Sequence, residues 1–140
     1  MAPTLPRYGF NMLPSTTIGA AGTVTGIPIP LRDVKHLQVQ AVFVRAAGGT
    51  DVKVFIQTSL DAGVTWIDIM NLRFTTSTAT KVSAAHRDSP LAAAITPTDG
   101  SLTNDVVVNG LIGDRVRAKV VSTGTYTGVT TLAIEAVAHR

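Results

Sequence analysis

Cysteine is absent from this 140-residue chain, so a disulfide framework and a thiolate metal site are both excluded. Glutamate occurs once, at position 135, and lysine is almost as scarce, so residues that favour exposed helices are few. No stretch approaches the roughly 18 apolar residues of a membrane span, and the N-terminus lacks the apolar core of a signal peptide. These absences predict a helix-poor chain that is made in the cytosol.

Positive charge is modest and dispersed. The formal net charge is +3, whereas nucleic-acid-binding domains usually concentrate their basic residues on one face. Only Arg115, Arg117 and Lys119 form a local run, and alternate positions on a strand share one face. That face is either a solvated outer surface of a sheet or a contact for an acidic partner. We expect no direct nucleic-acid partner and no membrane partner.

What the chain does contain is threonine and valine, which suit strands. Apolar and polar residues alternate with period two in four segments, 37–44, 52–59, 115–120 and 132–138. Turn residues between them predict two hairpins, one joining the first pair of segments and one joining the last pair. Shorter strands are predicted at 64–70, 78–84 and 105–109. About seven or eight short strands with frequent turns are typical of a β-sandwich or barrel.

The strand pattern predicts a single domain at 32–140, which is preceded by an extended N-terminal arm at 1–31. Five of the seven prolines fall in the arm, and proline excludes long central strands. Its apolar residues indicate that the arm lies on something, either its own domain or a neighbouring molecule. Residues 85–104 are irregular and predict a long loop, with one helical turn at 91–95 as the alternative.

The most specific motif is Ser59-Leu60-Asp61-Ala62-Gly63-Val64-Thr65-Trp66, which matches the S-x-D-x-G-x-T-W pattern of the Asp-box. Its chemistry is local, because a short acid bonds backbone amides across a turn while glycine takes a positive φ. We therefore interpret five of its residues, Ser59, Asp61, Gly63, Thr65 and Trp66, as a structural hairpin. Trp66 is expected to anchor the core, and a role as a ligand-stacking platform is the alternative.

No reactive cluster is evident in the sequence. The histidines at 36, 86 and 139 are far apart, and none is spaced from another as strand-borne metal ligands would be. Neither a G-x-S-x-G elbow nor a phosphate-binding glycine loop occurs. We expect no catalytic residue, no metal site and no cofactor, and hence a protein that is not an enzyme.

A function without chemistry must lie in surfaces. The hydrophobic content of 45% is high for a β protein that covers itself, and surplus apolar surface indicates an interface. In addition, the strings VFIQTSLDAGVTWIDIMNLRFTTSTATKVSA and NGLIGDRVRAKVVSTGTYTGVTTLAIEAVA resemble the capsid cement (decoration) proteins of tailed phages. The resemblance covers roughly residues 35–138, and it rests on hairpin motifs that many phage virion proteins share.

The resemblance implies a jelly-roll-like antiparallel β-sandwich on the outer surface of a phage capsid, made in the cytoplasm of the host bacterium. The implied partner is the major capsid protein, whose neighbouring subunits the cement would bridge against genome pressure. A homodimer across a symmetry axis is also expected. Two groups of contact residues are predicted, the arm residues Leu5, Tyr8, Phe10, Met12 and Leu13, and an exposed edge at Arg115, Arg117 and Lys119.

Two other functions remain open at this point. One is a β-module of a phage tail or receptor-binding fibre, which would carry trimer-forming repeats or a second domain. The other is a small carbohydrate-binding module, which would use Trp66 and Tyr126 as stacking platforms.

Overall fold

A computed structural model describes residues 7–140, all of whose regular structure is β. The strands are β1 (Arg7–Thr17), β2 (Gly22–Thr25), β3 (Ile29–Pro30), β4 (His36–Val44), β5 (Ala47–Gly48), β6 (Asp51–Ser59), β7 (Ile67–Phe74), β8 (Ala79–His86), β9 (Arg115–Thr123), β10 (Tyr126–Thr127) and β11 (Thr131–His139). The four segments with the clearest alternation are β4, β6, β9 and β11. Residues 105–109 form no strand and contribute one bridge, between Met70 and Val107. Residues 91–95 are loop rather than helix.

The strands form two antiparallel sheets. The first sheet has the order β1-β11-β4-β8, and the second has the order β2-β9-β6-β7, with β3 also paired to β9. When the eight strands other than β3, β5 and β10 are counted along the chain, these orders are 1-8-3-6 and 2-7-4-5, which is a jelly roll made of two Greek keys. The predicted all-β sandwich with jelly-roll topology is therefore confirmed.

Both long hairpins predicted from adjacent segments are wrong. β4 lies in the first sheet and β6 in the second, and β9 and β11 are separated in the same way. The two linkers, which read as hairpin turns, cross between the sheets at one end and pair with each other through β5 and β10. Only the β6–β7 hairpin, which contains the Asp-box, forms between adjacent segments as expected.

The core lies between the sheets. Inward residues of β4 and β11, such as Leu37, Phe43, Leu132 and Ile134, are fully buried, because alternation places every second side chain on the inner face. Burying apolar surface contributes roughly 25 cal/mol per Å². Phe43 packs edge-on against Tyr126, with ring centroids 5.6 Å apart.

Residues 7–31, predicted as part of an arm, belong to the sandwich. β1 is an edge strand of the first sheet, paired with β11, and β2 and β3 pair with β9 in the second sheet. Register shifts interrupt β1 on either side of Leu13, as expected where Pro14 cannot donate to the ladder. Of the two supports left open by the sequence, the described part of the segment rests on its own domain.

Candidate interaction surface

The outer face of the second sheet is covered by the chain itself over β7 and the adjoining parts of β6 and β9. The loop between β8 and β9 folds across it and is held by Asp68, a carboxylate that is 2% exposed. Its Oδ2 atom accepts hydrogen bonds from the amides of Gly100, Ser101 and Leu102 at 2.8–3.2 Å. The hydroxyl of Thr98 adds a fourth at 2.9 Å. A carboxylate that receives several donors at once is a strong anchor.

Two further contacts extend this anchoring along the loop. The Asn71 amide donates to the Leu102 carbonyl at 2.8 Å, and the Lys81 ammonium donates to Asp105 at 2.9 Å. Asn71 is 1% exposed. The Asp68 carboxylate and the Asn71 side-chain NH₂ group thus find partners in the loop, which makes the loop a structural cover of this part of the second sheet.

Arg115, Arg117 and Lys119 lie on one face of β9, as predicted, but not at an exposed edge. β9 has β6 on one side and β2 and β3 on the other. The Arg117 Nε donates to the Gln57 Oε1 at 2.7 Å, and its guanidinium lies 4.2 Å from the centroid of the Trp66 ring.

Lys119 is engaged in the same way, because its Nζ lies 3.0 Å from the Asp99 carboxylate. Hydrogen bonds from the side chains of Gln57 and Lys119 hold the pKa of Asp99 below its usual range, against the opposing effect of desolvation. The side chains of Arg117 and Lys119 are 17% and 21% exposed. The predicted contact is therefore corrected for Arg117 and Lys119, because they bind the chain's own loop and core. The Arg115 side chain bonds the adjacent Asp114 and stays 34% exposed.

The Asp-box residues close the β6–β7 hairpin. Asp61 Oδ1 accepts from the Thr65 amide at 2.7 Å and from the Ser59 hydroxyl at 2.9 Å. The Thr65 amide is the main cause of a lowered pKa at Asp61. Gly63 has a φ of +91°, a conformation that L side chains rarely adopt.

The aromatic side chains proposed for carbohydrate stacking are not available. Trp66 is 9% exposed and lies beneath Arg117. Tyr126 is 3% exposed, and its hydroxyl donates to the Thr75 carbonyl at 2.7 Å. A stacking platform requires an open ring face, so this structure does not support a carbohydrate site at these two residues.

Within residues 7–140, the outer face of the first sheet is largely exposed, and its positions on β4, β8 and β11 are nearly uncharged. Its outward positions on β4, β8 and β11 carry Val, Ala, Thr, Gln and His side chains, and Glu135 is the single Asp, Glu, Lys or Arg among them. Val82 is 67% exposed and Val44 is 45% exposed. A shallow groove runs across this face. It is lined in part by Asn11, Gln38, Gln40, Val82 and Glu135.

The arm residues predicted as contacts divide into two groups. Met12 and Leu13 are 2% and 6% exposed within the core, so the prediction that they touch a partner is wrong. Tyr8 and Phe10 are half-buried, with ring centroids 5.7 Å apart, and retain some accessible surface. Leu5 lies outside the described residues.

The three histidines, expected far apart, form a row. His139 and His36 are register partners on β11 and β4, and His36 and His86 are register partners on β4 and β8. Sequence spacing missed this because the contacts cross between strands. Within residues 7–140, no group of three or more His, Asp or Glu side chains is arranged to hold a metal ion. No helix in that range could span a membrane.

Comparison with known proteins adds evidence on the fold. No protein-family model matches the chain, and no curated protein matches it in sequence. Among solved structures, it is similar to a chain in the structure of infectious bursal disease virus, Gx strain. The TM-score is 0.51 with 8% identity over 95% of this chain. The match covers 32% of the viral chain, so this protein spans about a third of its length. Likeness at this identity shows the fold alone, a β-sandwich of the kind found in viral capsids.

Proposed function

We propose that this protein is a non-catalytic structural component of a tailed-phage virion, a cement protein that binds the outer surface of the capsid. In this proposal it bridges neighbouring major capsid subunits and stabilises the shell against the pressure of the packaged genome. The observation that carries the proposal is the asymmetry between the sheets. A loop covers much of the outer face of the second sheet, whereas β4, β8 and β11 of the first sheet present a face with almost no charge.

The composition of this face supports a contact role. The centres of protein interfaces are depleted of charged residues, and the outward positions of β4, β8 and β11 contain only Glu135 of the Asp, Glu, Lys and Arg residues. The exposed side chains of Val44 and Val82 supply apolar surface, and burial of that surface against a partner is favourable. The sequence resemblance to capsid cement proteins and the capsid-like β fold point in the same direction.

The mechanism would be mechanical. A protein that binds only the assembled lattice stabilises that lattice by mass action. Many copies act together, so each contact can be modest. A homodimer across a symmetry axis remains part of the proposal, because an isologous pair would place two capsid-binding faces on one unit.

Co-sedimentation with capsids tests the proposal. The purified protein should pellet with expanded mature shells and stay in the supernatant with free major capsid protein. Val82→Glu places an unpaired charge on the proposed face and should weaken shell binding by about tenfold or more, which corresponds to roughly 1.4 kcal/mol. Val64→Glu is the matched control, because Val64 is an 83% exposed valine on the Asp-box hairpin.

Equal binding to shells and to free subunits would contradict the lattice-specific role. A Val64→Glu variant that loses binding while Val82→Glu keeps it would place the contact elsewhere. Thermal melting of both variants controls for folding. Sedimentation equilibrium of the natural protein tests the dimer, and a monomer at all concentrations would refute that part.

A further inference from the structure

We infer that His36 and His86 form a two-imidazole binding site for a borderline divalent transition metal such as Ni²⁺, Cu²⁺ or Zn²⁺. This site goes beyond the proposed capsid role. It sits where β4 begins and β8 ends, 50 residues apart in sequence and opposite each other in the ladder. Imidazole nitrogen is a preferred ligand of these metals.

The two rings face each other through their Nδ1 atoms, which are in direct hydrogen-bond contact. Ring centroids are 4.6 Å apart with an edge-to-face geometry. In a neutral pair one Nδ1 donates a proton and the other accepts it through its lone pair. A metal ion takes the place of that shared proton when the donor ring moves its proton to Nε2. The two ligand atoms are therefore already directed at one point.

Asp88 provides the second element of such a site. Its Oδ2 atom lies 3.3 Å from the Nε2 of His36. A carboxylate this close to Nε2 favours the tautomer with the proton on Nε2, which leaves the lone pair on Nδ1, facing His86. Metal-binding histidines almost always donate their second N–H to a carboxylate, a carbonyl or water in this way. Asp88 is accordingly a positioning residue, and His36 and His86 are the ligands.

The position of the histidine pair leaves the proposed site accessible from solvent. The side chain of His36 is 35% exposed, and that of Asp88 is 58% exposed. Metal–nitrogen bonds of about 2.0–2.1 Å place two ligands of a tetrahedral ion roughly 3.4 Å apart, so the rings turn slightly away from each other on binding. Two ligands leave the remaining coordination positions to water, which makes this an open site rather than a closed structural one.

His139 is excluded from the ligand set by its geometry. Its ring centroid is 6.3 Å from that of His36, and its Nε2 atom is buried without a hydrogen-bond partner among the described residues. It shares the row, but the three histidines are not arranged to hold one metal ion together. His139→Gln is for this reason the matched control.

Isothermal titration of the tag-free full-length protein with Ni²⁺ tests the inference. The natural protein should bind one ion per chain, with tighter binding of Cu²⁺ than of Ni²⁺ and of Ni²⁺ than of Co²⁺. His36→Gln and His86→Gln should each remove the saturable binding, and Asp88→Ala should weaken it by about 10–100-fold. His139→Gln should leave the affinity unchanged.

Thermal melting supplies an independent readout. Ni²⁺ should raise the Tm of the natural protein and of His139→Gln, but not of His86→Gln, because an ion that binds the native state selectively stabilises it. Melting curves without metal verify that each variant folds. Absence of one-to-one Ni²⁺ binding, or binding that survives His86→Gln, would overturn the inference. Failure of capsid co-sedimentation would leave it intact, since the two tests share no readout.

Discussion

Substitution of Asp68 is the sharpest test of how the β8–β9 loop is held against the outer face of the second sheet. Asp68→Asn preserves the shape of the side chain but replaces one acceptor oxygen with a donor group. In the natural chain five donor groups converge on the carboxylate, contributed by Gln57, Thr98, Gly100, Ser101 and Leu102. No orientation of an asparagine amide satisfies all of them, because its NH₂ group must face a donor on one side.

The magnitude follows from the nature of these bonds. A hydrogen bond to a charged group contributes about 1.5–3 kcal/mol, and a neutral one about 0.5–1.5 kcal/mol. The substitution loses at least one bond and weakens the rest, which gives a destabilisation of about 2–4 kcal/mol. The loop amides can return to water if the loop lifts, so the cost stays below the largest values seen for buried charges.

Urea unfolding measures the effect. Trp66 is the single tryptophan, and it lies under Arg117 near the loop, so its fluorescence reports on this face. With a slope of roughly 1–3 kcal/mol per molar urea, we expect the midpoint to fall by about 1–2 M. Limited proteolysis should also cut the 98–102 segment sooner in the variant.

Asp114→Asn is the matched control for this change. The Asp114 side chain is 46% exposed and bonds only the adjacent Arg115, so its substitution should shift the midpoint very little. An Asp68→Asn variant with the midpoint and protease resistance of the natural protein would refute the role of the carboxylate as the loop anchor.

Three further predictions concern other parts of the sandwich. Gly49→Ala should lower the free energy of unfolding by about 2–4 kcal/mol in urea, because the φ of Gly49 is +78° and an added Cβ would lie 2.1 Å from the Tyr126 ring. Gly22→Ala is the control and should be nearly neutral, because an added Cβ there meets no atom within 4 Å. Tyr126→Phe should cost about 1 kcal/mol by removing the hydrogen bond to Thr75, and an unchanged thermal midpoint would contradict this. Hydrogen bonds from Gln57 and Lys119 lower the pKa of Asp99 in the folded state. These bonds therefore stabilise the fold at pH above the ordinary Asp pKa of 3.8, and the stabilisation is lost as the pH falls through the folded-state pKa. Urea unfolding of natural protein and Asp99→Asn should accordingly converge at low pH, and a constant difference would refute the linkage.

Local sequence signals located the strands but not their partners. The alternation that predicts 37–44, 52–59, 115–120 and 132–138 agrees closely with β4, β6, β9 and β11. Alternation identifies which side chains face inward, and it says nothing about which strand lies alongside. Gly48 and Gly49 both have positive φ, as expected of a turn, yet their turn carries the chain to the opposite sheet. The β6–β7 hairpin was predictable because the Asp-box specifies its own bonds.

The functional surfaces were harder to predict for a related reason. Arg115, Arg117 and Lys119 share a face, as their spacing predicts, but the loop that covers them comes from a segment without periodicity. The histidine row depends on the registers of β4 with β8 and with β11. Each of these registers brings together two histidines that are at least 50 residues apart in sequence, and no local pattern encodes them.

The contrast between the two sheets explains why one of them is available to a partner. Gln57, Asp68 and Asn71 are polar and fully or almost fully buried on the outer face of the second sheet. Exposing them would require the loop to lift and its hydrogen bonds to these side chains to break. Gln38 and Gln40 occupy corresponding outward positions on the first sheet, where water can satisfy them. A partner that covers the first sheet must replace that water with its own polar groups, and must also neutralise Glu135. The face therefore favours a surface with a basic side chain opposite Glu135, and selects against a purely apolar one.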